Sequence, residues 1–283
     1  MVIYLKKYES LIENALKEGY AIPQFNINNL EWAKYILEKC EEERSPVFLG
    51  VSTGAAKYMG GYNVVVSMIT GLLQDLKITI PVMIHLDHSP SFDECEKAYK
   101  AGFDSLMIDA SKETFEDNIS ITNKVSDLGE VIIEAELGHI GGVEDDVSGE
   151  HQYTNKEEAE IFCNKTKINL FAPSLGSAHG LYKSEPNINF ELTKELKEIT
   201  KKGMVLHGGT GLDDETLKKC IKNGVVKINF NTELQVVWAK ALREFITSDE
   251  TVYDPRKIIS AGEGAIKDSV KHYINVLGSN NKG

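Results

Sequence analysis

The sequence predicts an α/β protein, a (β/α)8 or TIM barrel with extra helices at its C-terminal end, and three observations carry that expectation. Eight short apolar or β-branched runs alternate with amphipathic segments along the whole chain. The 283 residues fit one domain, 1–283, since a single such barrel occupies about 250 residues. Polar, metal-capable side chains recur where the runs end, and strand ends are where a barrel gathers its chemistry.

The candidate strands are 20–25, 46–51, 81–86, 104–108, 131–136, 168–173, 204–207 and 225–229. Segments such as 30–43, 91–101 and 213–223 place apolar residues at helical spacing between them. A βα alternation requires a parallel sheet flanked by helices, and near-continuous apolar runs such as PVMIHL suit burial on both faces. An open doubly wound sheet satisfies the same pattern; closure is the simplest arrangement for eight units. Gly102 and Gly224 follow helical segments directly before strands, where glycine supplies a left-handed cap. Beyond the eighth strand, 232–246 and 255–276 predict two further helices, and the tail 278–283 is expected to fray.

Composition narrows the function classes. The chain carries 31 Lys+Arg against 43 Asp+Glu, a formal charge of −12, and its like-charge run at 41–43 is acidic. A phosphate-neutralising nucleic-acid surface is therefore not expected. Hydrophobic content of 42% and charged content of 26% are globular values, unlike disordered or collagen-like chains. No run approaches the roughly 18 apolar residues of a membrane span, and 1–9 lacks a signal-peptide core, so a cytoplasmic protein with no membrane partner is expected. Cys40, Cys95, Cys163 and Cys220 are far apart and outside any CxxC pair, which predicts reduced core residues.

The strand ends carry, in order, Asn26, Ser52, His85-Leu86-Asp87-His88, Asp109, Glu136, His179, His207 and Asn229. So many polar side chains would each cost several kcal/mol if buried alone; they must satisfy one another or an ion. Of seven histidines, His85, His88, His179 and His207 fall at ends of the third, sixth and seventh units. Three neutral imidazoles with an open fourth position form a catalytic zinc site, and the choice between His85 and His88 stays open. His139, His151 and His272 read as loop or surface residues. Asp87 beside His88 is placed for acid-base work next to a ligand, while Asp109 and Glu136 could ligate a metal or orient its histidines, or serve only in a salt bridge or cap. A polar loop of about 17 residues after Glu136 is long enough to be functional and carries Glu144; a solvated acidic turn is the alternative. Gly208-Gly209-Thr210-Gly211 precedes one helix and Asn229 to Thr232 leads into another, an anion cradle of backbone N–H groups.

The motifs HLDH (85–88), MIDAS (107–111), EAELG (134–138), GGVEDD (141–146), GSAHG (176–180), HGGTG (207–211) and KINFNTE (227–233) resemble the class II, metal-dependent fructose-bisphosphate aldolases, from about residue 20 to YDPRK at 253–257. The resemblance implies a (β/α)8 barrel, a homodimer or larger, that reversibly cleaves fructose 1,6-bisphosphate to dihydroxyacetone phosphate and glyceraldehyde 3-phosphate through a zinc-stabilised enediolate. It implies zinc ligands at His88, His179 and His207, with Asp109 and Glu136 at a second or alternative divalent position, and leaves room for a monovalent activator. It implies Asp87 and Glu144 as the proton-transferring pair. Gly180, Gly208, Gly209, Thr210, Asn229, Phe230, Asn231 and Thr232 match the cradle for dihydroxyacetone phosphate, with Asn26 also at the substrate. Ser52 and Arg256 match groups at the other phosphate, Arg256 from this or a neighbouring subunit. Lys112-Glu113 departs from the histidines frequent after MIDAS in such proteins. A tagatose-bisphosphate aldolase, a Schiff-base lyase using Lys227 and a non-catalytic metal- or phosphate-binding protein are the rival readings.

Overall fold

The computed structural model describes residues 2–144, 147–149, 152–182 and 186–283, with side chains described from residue 6 onward except for 141–149. The first part of the chain runs α1 (Val2–Glu18), β1 (Ile22–Asn26), α2 (Leu30–Glu42), β2 (Val47–Ser52), α3 (Thr53–Met59), α4 (Tyr62–Asp75), β3 (Val82–Ser89), α5 (Phe92–Ala101) and β4 (Ser105–Ile108). The middle adds α6 (Phe115–Ser126), β5 (Ile132–Leu137), β6 (Gly141–Glu144), β7 (Val147–Gly149), α7 (Lys156–Lys165), β8 (Leu170–Pro173) and β9 (Ala178–His179). The last part is α8 (Phe190–Thr200), β10 (Gly203–Leu206), α9 (Asp214–Lys222), β11 (Val225–Phe230), α10 (Thr232–Ser248), α11 (Pro255–Ser260) and α12 (Glu263–Leu277). Strands β1, β2, β3, β4, β5, β8, β10 and β11 close into the expected barrel, with β1 pairing in parallel to both β2 and β11. Helices start where short polar side chains can accept a first-turn N–H: Asn29, Ser91, Thr114, Asn155 and Asp213 all do so.

The two-residue period of the strands sorts the interior. Phe25, Leu49, Val51, Ile84, Leu86, Ile133, Phe171 and Leu206 face the helices in one large apolar cluster. Inside, Ile22, Phe48, Met83, Ile132, Leu170 and Val205 form a second cluster at the N-terminal end. Further along the same strands, inward positions become polar: Gln24 and Asn26, His85 and Asp87, Glu134 and Glu136, Lys227 and Asn229, all buried. The barrel is thus apolar at the bottom and ionisable at the top.

Helix α1, not expected from the sequence above, stoppers the bottom. Tyr8, Leu11, Ile12 and Ala15 lie on one helical face and pack into the inner apolar cluster, and the Tyr8 hydroxyl donates to the Val82 carbonyl at 3.0 Å. The four cysteines are buried and free, as expected. No helix among the described residues is long and apolar enough to cross a membrane.

Three expectations are corrected. The segment 255–276 is two helices, α11 and α12, parted at Ala261-Gly262, where Gly262 lies so close to Trp238 that a Cβ there would overlap the indole ring. The tail does not fray: Asn281 N–H donates to the Glu43 carbonyl at 3.1 Å, Gly283 N–H to Arg44 at 2.8 Å, and buried Ser279 meets Ser45 at 2.8 Å. The loop after Glu136 supplies two strands of a small sheet, β7-β6-β9, in which β6 runs antiparallel to β7 and parallel to β9 from the segment after β8. Asp145, Asp146 and His151 lie outside the described residues.

Ile12→Ala should remove apolar contacts from the stopper and lower unfolding stability by about 2–4 kcal/mol. Urea titration followed by circular dichroism would measure this; a midpoint equal to wild type would mean that α1 contributes nothing to the core.

Candidate active site

Strand β3 brings His85, Asp87 and His88 within one short stretch. Strict alternation sends His85 and Asp87 inward and His88 outward. His88 instead adopts a left-handed backbone, φ 47°, and the β3–β4 register shifts between Leu86 and Ser89. This irregularity re-aims the ring toward the barrel mouth, and a non-glycine residue held there costs about 1–3 kcal/mol. The histidine left open by the sequence is thereby assigned: His88 joins the cluster, while His85 is fully buried with Nδ1 2.8 Å from Ser105 Oγ.

His88, His179 and His207 each offer a ring nitrogen within 4.8 Å of the others, and His88, Asp109 and Glu136 form an overlapping second group. His88 Nε2 stands 2.9 Å from His207 Nδ1, and His88 Nδ1 stands 3.1 Å from Asp109 Oδ2 and 3.8 Å from Glu136 Oε2. Glu136 Oε2 is buried without a hydrogen-bond partner. Two imidazole nitrogens facing each other, a third ring alongside and an unsatisfied carboxylate oxygen are a donor set that a divalent cation fits.

The electrostatics follow from crowding. Burial pulls His88 down, but the Asp109 hydrogen bond and the charges of Asp87, Asp109 and Glu136 outweigh it and hold the ring at about 10. His207 moves the opposite way, to about 4, through burial and the neighbouring His88 charge, against its hydrogen bond to Glu134. Burial, joined by the Asp109 charge, raises the Glu136 carboxyl to about 8. At Asp87 burial opposes ionisation, yet His88, His207, His85 and Lys227 keep the carboxyl well below the usual carboxylate range.

Side chains not singled out in the sequence support this set. Gln24 Nε2 donates to Asn26 Oδ1 at 2.9 Å, and Asn26 Nδ2 donates to Asp87 Oδ2 at 2.8 Å, holding the carboxylate from β1. Gly50 makes room, because a Cβ there would stand 2.5 Å from both amide side chains. Glu134 Oε1 accepts from His207 Nε2 at 2.8 Å. Its spacing, two residues before Glu136 on the same inward face, is the signal that could have found it. Tyr182 receives the Ala178 N–H at 3.1 Å and donates to the Gly208 carbonyl at 2.8 Å, tying the His179 and His207 segments together; no pattern in the sequence announces it.

Above the cluster is a cavity of about 390 Å³. Of the expected residues, Asn26, Ser52, Asp87, His88, Asp109, His179, His207, Gly208, Asn229 and Asn231 line it, as does Lys112. Ser52 Oγ also accepts from Ala55 N–H at 3.1 Å as the cap of α3. Gly208 is left-handed, φ 67°, and a Cβ would run into the Ala178 carbonyl, so the cradle closes only on glycine. Gly209 donates its N–H to the Asn229 carbonyl at 3.1 Å, and Thr210 Oγ1 accepts from Glu233 N–H at 3.2 Å, bracing the loop against the start of α10. Gly180 is buried just past β9 and Thr232 opens α10. Glu136, Gly180, Gly209, Thr210 and Thr232 are not among its lining residues, and two expected side chains are directed elsewhere: Phe230 is core, stacked on Tyr273 at 3.7 Å, and Arg256 on α11, its side chain 90% exposed, pairs with Asp254, the cap of that helix. His179 sits on β9 rather than at the end of a barrel strand, paired through Gly142↔His179 to β6, whose last residue is Glu144. The Glu144 side chain lies outside the described set.

Comparison with known proteins agrees with this geometry. The family model described as "Fructose-bisphosphate aldolase class-II" matches residues 6–282. The chain is 49% identical to a fructose-bisphosphate aldolase of Geobacillus stearothermophilus, covering 98% of each chain. It is 47% identical to one from Staphylococcus epidermidis, over 98% of this chain and 99% of that one. Among solved structures, the YdjI aldolase of Escherichia coli K12 superposes with a TM-score of 0.83 at 30% identity, over 96% and 97% of the two chains. The fructose-bisphosphate aldolase of Campylobacter jejuni gives 0.81 at 26% identity, over 99% and 96%. A histidine and carboxylate cluster at the mouth of a closed barrel, matched along nearly the whole chain, places this protein in the class II fructose-bisphosphate aldolase family.

Proposed function

We propose that this chain, acting as one domain, is a zinc-dependent aldolase that reversibly cleaves fructose 1,6-bisphosphate into dihydroxyacetone phosphate and glyceraldehyde 3-phosphate. The observation that carries the reading is the meeting of three imidazoles within 4.8 Å directly beside the Asp87 carboxylate, under one cavity. His88, His179 and His207 would hold the ion, with Asp109 and Glu136 available to a second divalent position. Bound there, a zinc ion supplies Lewis-acid stabilisation of charge developing on the substrate's oxygens.

The chain's own residues account for the rest. Asp87, kept ionised by the positive groups around it, takes the proton of the C4 hydroxyl as the C3–C4 bond breaks, and Asn26 fixes the oxygen that does so. Glu144 then protonates C3, the carbon left with the electron pair; condensation reverses both transfers. The loop around Gly208 and the start of α10 hold the phosphate of the dihydroxyacetone half through backbone N–H groups. Ser52 lies toward the aldehyde half. Arg256, pointing to solvent from its own chain, would reach a substrate phosphate only from a second subunit, so a homodimer or larger assembly belongs to this proposal.

The lysine rival is disfavoured by Lys227 itself. It is fully buried, off the cavity wall and paired with Glu134 at 2.8 Å, so it is neither free nor reachable as an amine nucleophile. A mere binder would leave Asp87 and its braces without a task. The tagatose enzyme differs at one stereocentre, and the relatives named for fructose bisphosphate support the fructose reading.

Three outcomes are expected. Exhaustive chelation should abolish cleavage, added zinc should restore it, and borohydride with substrate should not inactivate; activity that survives chelation but not borohydride would reverse the assignment. Asp87→Ala should retain zinc and substrate binding while kcat falls about 10²–10⁴-fold, as measured by coupled assay and calorimetry; wild-type turnover would remove Asp87 from the chemistry. Assayed side by side, fructose 1,6-bisphosphate should be turned over faster than tagatose 1,6-bisphosphate, and the reverse order would transfer the protein to the tagatose reaction.

A further inference from the structure

Lys227 enters the mechanism above only as one of the positive charges around Asp87, yet it is one of the largest fully buried side chains among the described residues. Its ammonium lies 2.8 Å from Glu134 Oε2 and 2.9 Å from Asn229 Oδ1, over the Phe48 ring at 5.3 Å. Both of those partners go on to touch one imidazole: Glu134 Oε1 is 2.8 Å from His207 Nε2, and Asn229 Nδ2 is 3.2 Å from His207 Nδ1.

The proton bookkeeping has one solution. An ammonium can only donate. The Asn229 atom facing it must therefore be the oxygen, which turns the amide NH₂ toward His207 Nδ1 and makes that nitrogen an acceptor. The ammonium also keeps Glu134 an ionised carboxylate that can only accept, so His207 Nε2 must carry the proton. Two separate hydrogen bonds thus impose the same tautomer, and both take their polarity from Lys227.

We propose that Lys227 is a positioning residue: through Glu134 on one side and Asn229 on the other it fixes the proton of His207 on Nε2 and presents Nδ1, as a lone pair, to His88 and His179. The inference rests on the reading of those three rings as a metal centre and concerns the layer beneath it. Outer partners of this kind, which orient a ligating histidine, typically change metal affinity about 10–100-fold when lost. A lysine kept only for packing would be a poor choice, since a buried ion pair is often matched or bettered by apolar residues of similar size.

The test uses substitutions with opposite expectations. In Glu134→Gln the ammonium claims the new amide's oxygen and its NH₂ then faces His207 Nε2, while the Asn229 NH₂ still faces Nδ1; the ring has a donor on each side, and the Nε2–H tautomer is no longer imposed. Zinc affinity, measured by competition with a chromophoric chelator, should weaken about 10–100-fold. Adding Lys227→Met releases the amide to turn its oxygen to His207, so the double variant should recover most of the loss. A lysine with a packing role alone would leave the double variant weaker than the single. Histidine-selective ¹⁵N spectra of the zinc-free proteins, with His207 assigned from a His207→Gln spectrum, should show Nε2–H alone in wild type and loss of that single tautomer in Glu134→Gln. An Nδ1–H tautomer in the wild-type protein overturns the proposal even if no variant folds, and so does a double variant that binds zinc no better than Glu134→Gln. Failure of the wild-type chain to bind zinc would instead count against the metal centre, leaving the wild-type tautomer to decide the proposal.

Discussion

Glu134 and Lys227 face each other at 2.8 Å with neither side chain exposed to solvent, and the upper half of the barrel depends on that balance of charge. Either group alone at this depth would incur a desolvation penalty of several kcal/mol. Together they form a polar floor on which His207 stands. Burial and the His88 charge hold His207 low, at about 4, against its hydrogen bond to Glu134, while His88, 2.9 Å away and hydrogen-bonded to Asp109, is held at about 10. The adjacent imidazoles acquire opposite tendencies because His88 has the Asp109 hydrogen bond and three carboxylate charges to hold its proton, whereas His207 is buried next to the His88 charge.

The bottom of the barrel makes this arrangement affordable in structural terms. Ile22, Phe48, Met83, Ile132, Leu170 and Val205 fill the lower interior, and α1 seals it with Tyr8, Leu11, Ile12 and Ala15. The same strands then rise in two-residue steps into His85, Glu134, Asp87, Glu136 and Asn229. A single periodicity thus yields an apolar plug below and converging functional groups above. The outward positions, Leu49, Ile84, Ile133 and Leu206 among them, pack on the helices regardless of what the inward positions do.

Much of this was legible in the sequence, for identifiable reasons. The eight strands and the cluster at their ends could be read because burial on both faces and polar strand exits leave a compositional trace. The choice between His85 and His88 could not, because it turns on a left-handed backbone at His88, a property of a register shift and not of residue type. Helix α1 did leave a trace, the helical spacing of Tyr8, Leu11, Ile12 and Ala15, and so did Glu134 in its two-residue offset from Glu136. The docked tail rests on hydrogen bonds between 279–283 and 43–45, contacts across almost the whole chain that no local pattern encodes. Phe230 sits between Asn229 and Asn231, which line the cavity, but the strand period turns it outward into the core.

The small sheet beside the barrel links two parts of the site that the sequence presents separately. His179 lies on a strand of two residues, too short to hold its own position, and it is kept in place by pairing with β6 and by Tyr182, which bridges to the Gly208 carbonyl. Strand β6 ends at Glu144, two residues beyond the partner of His179. The backbone that carries the loop carboxylate is therefore hydrogen-bonded to the backbone that carries one imidazole of the cluster. A displacement of β6 along its axis would be felt at His179 and, through Tyr182, at the glycine turn after β10. Placing Glu144 on a strand rather than on a free turn thus couples the position of its backbone to the geometry of the histidine cluster.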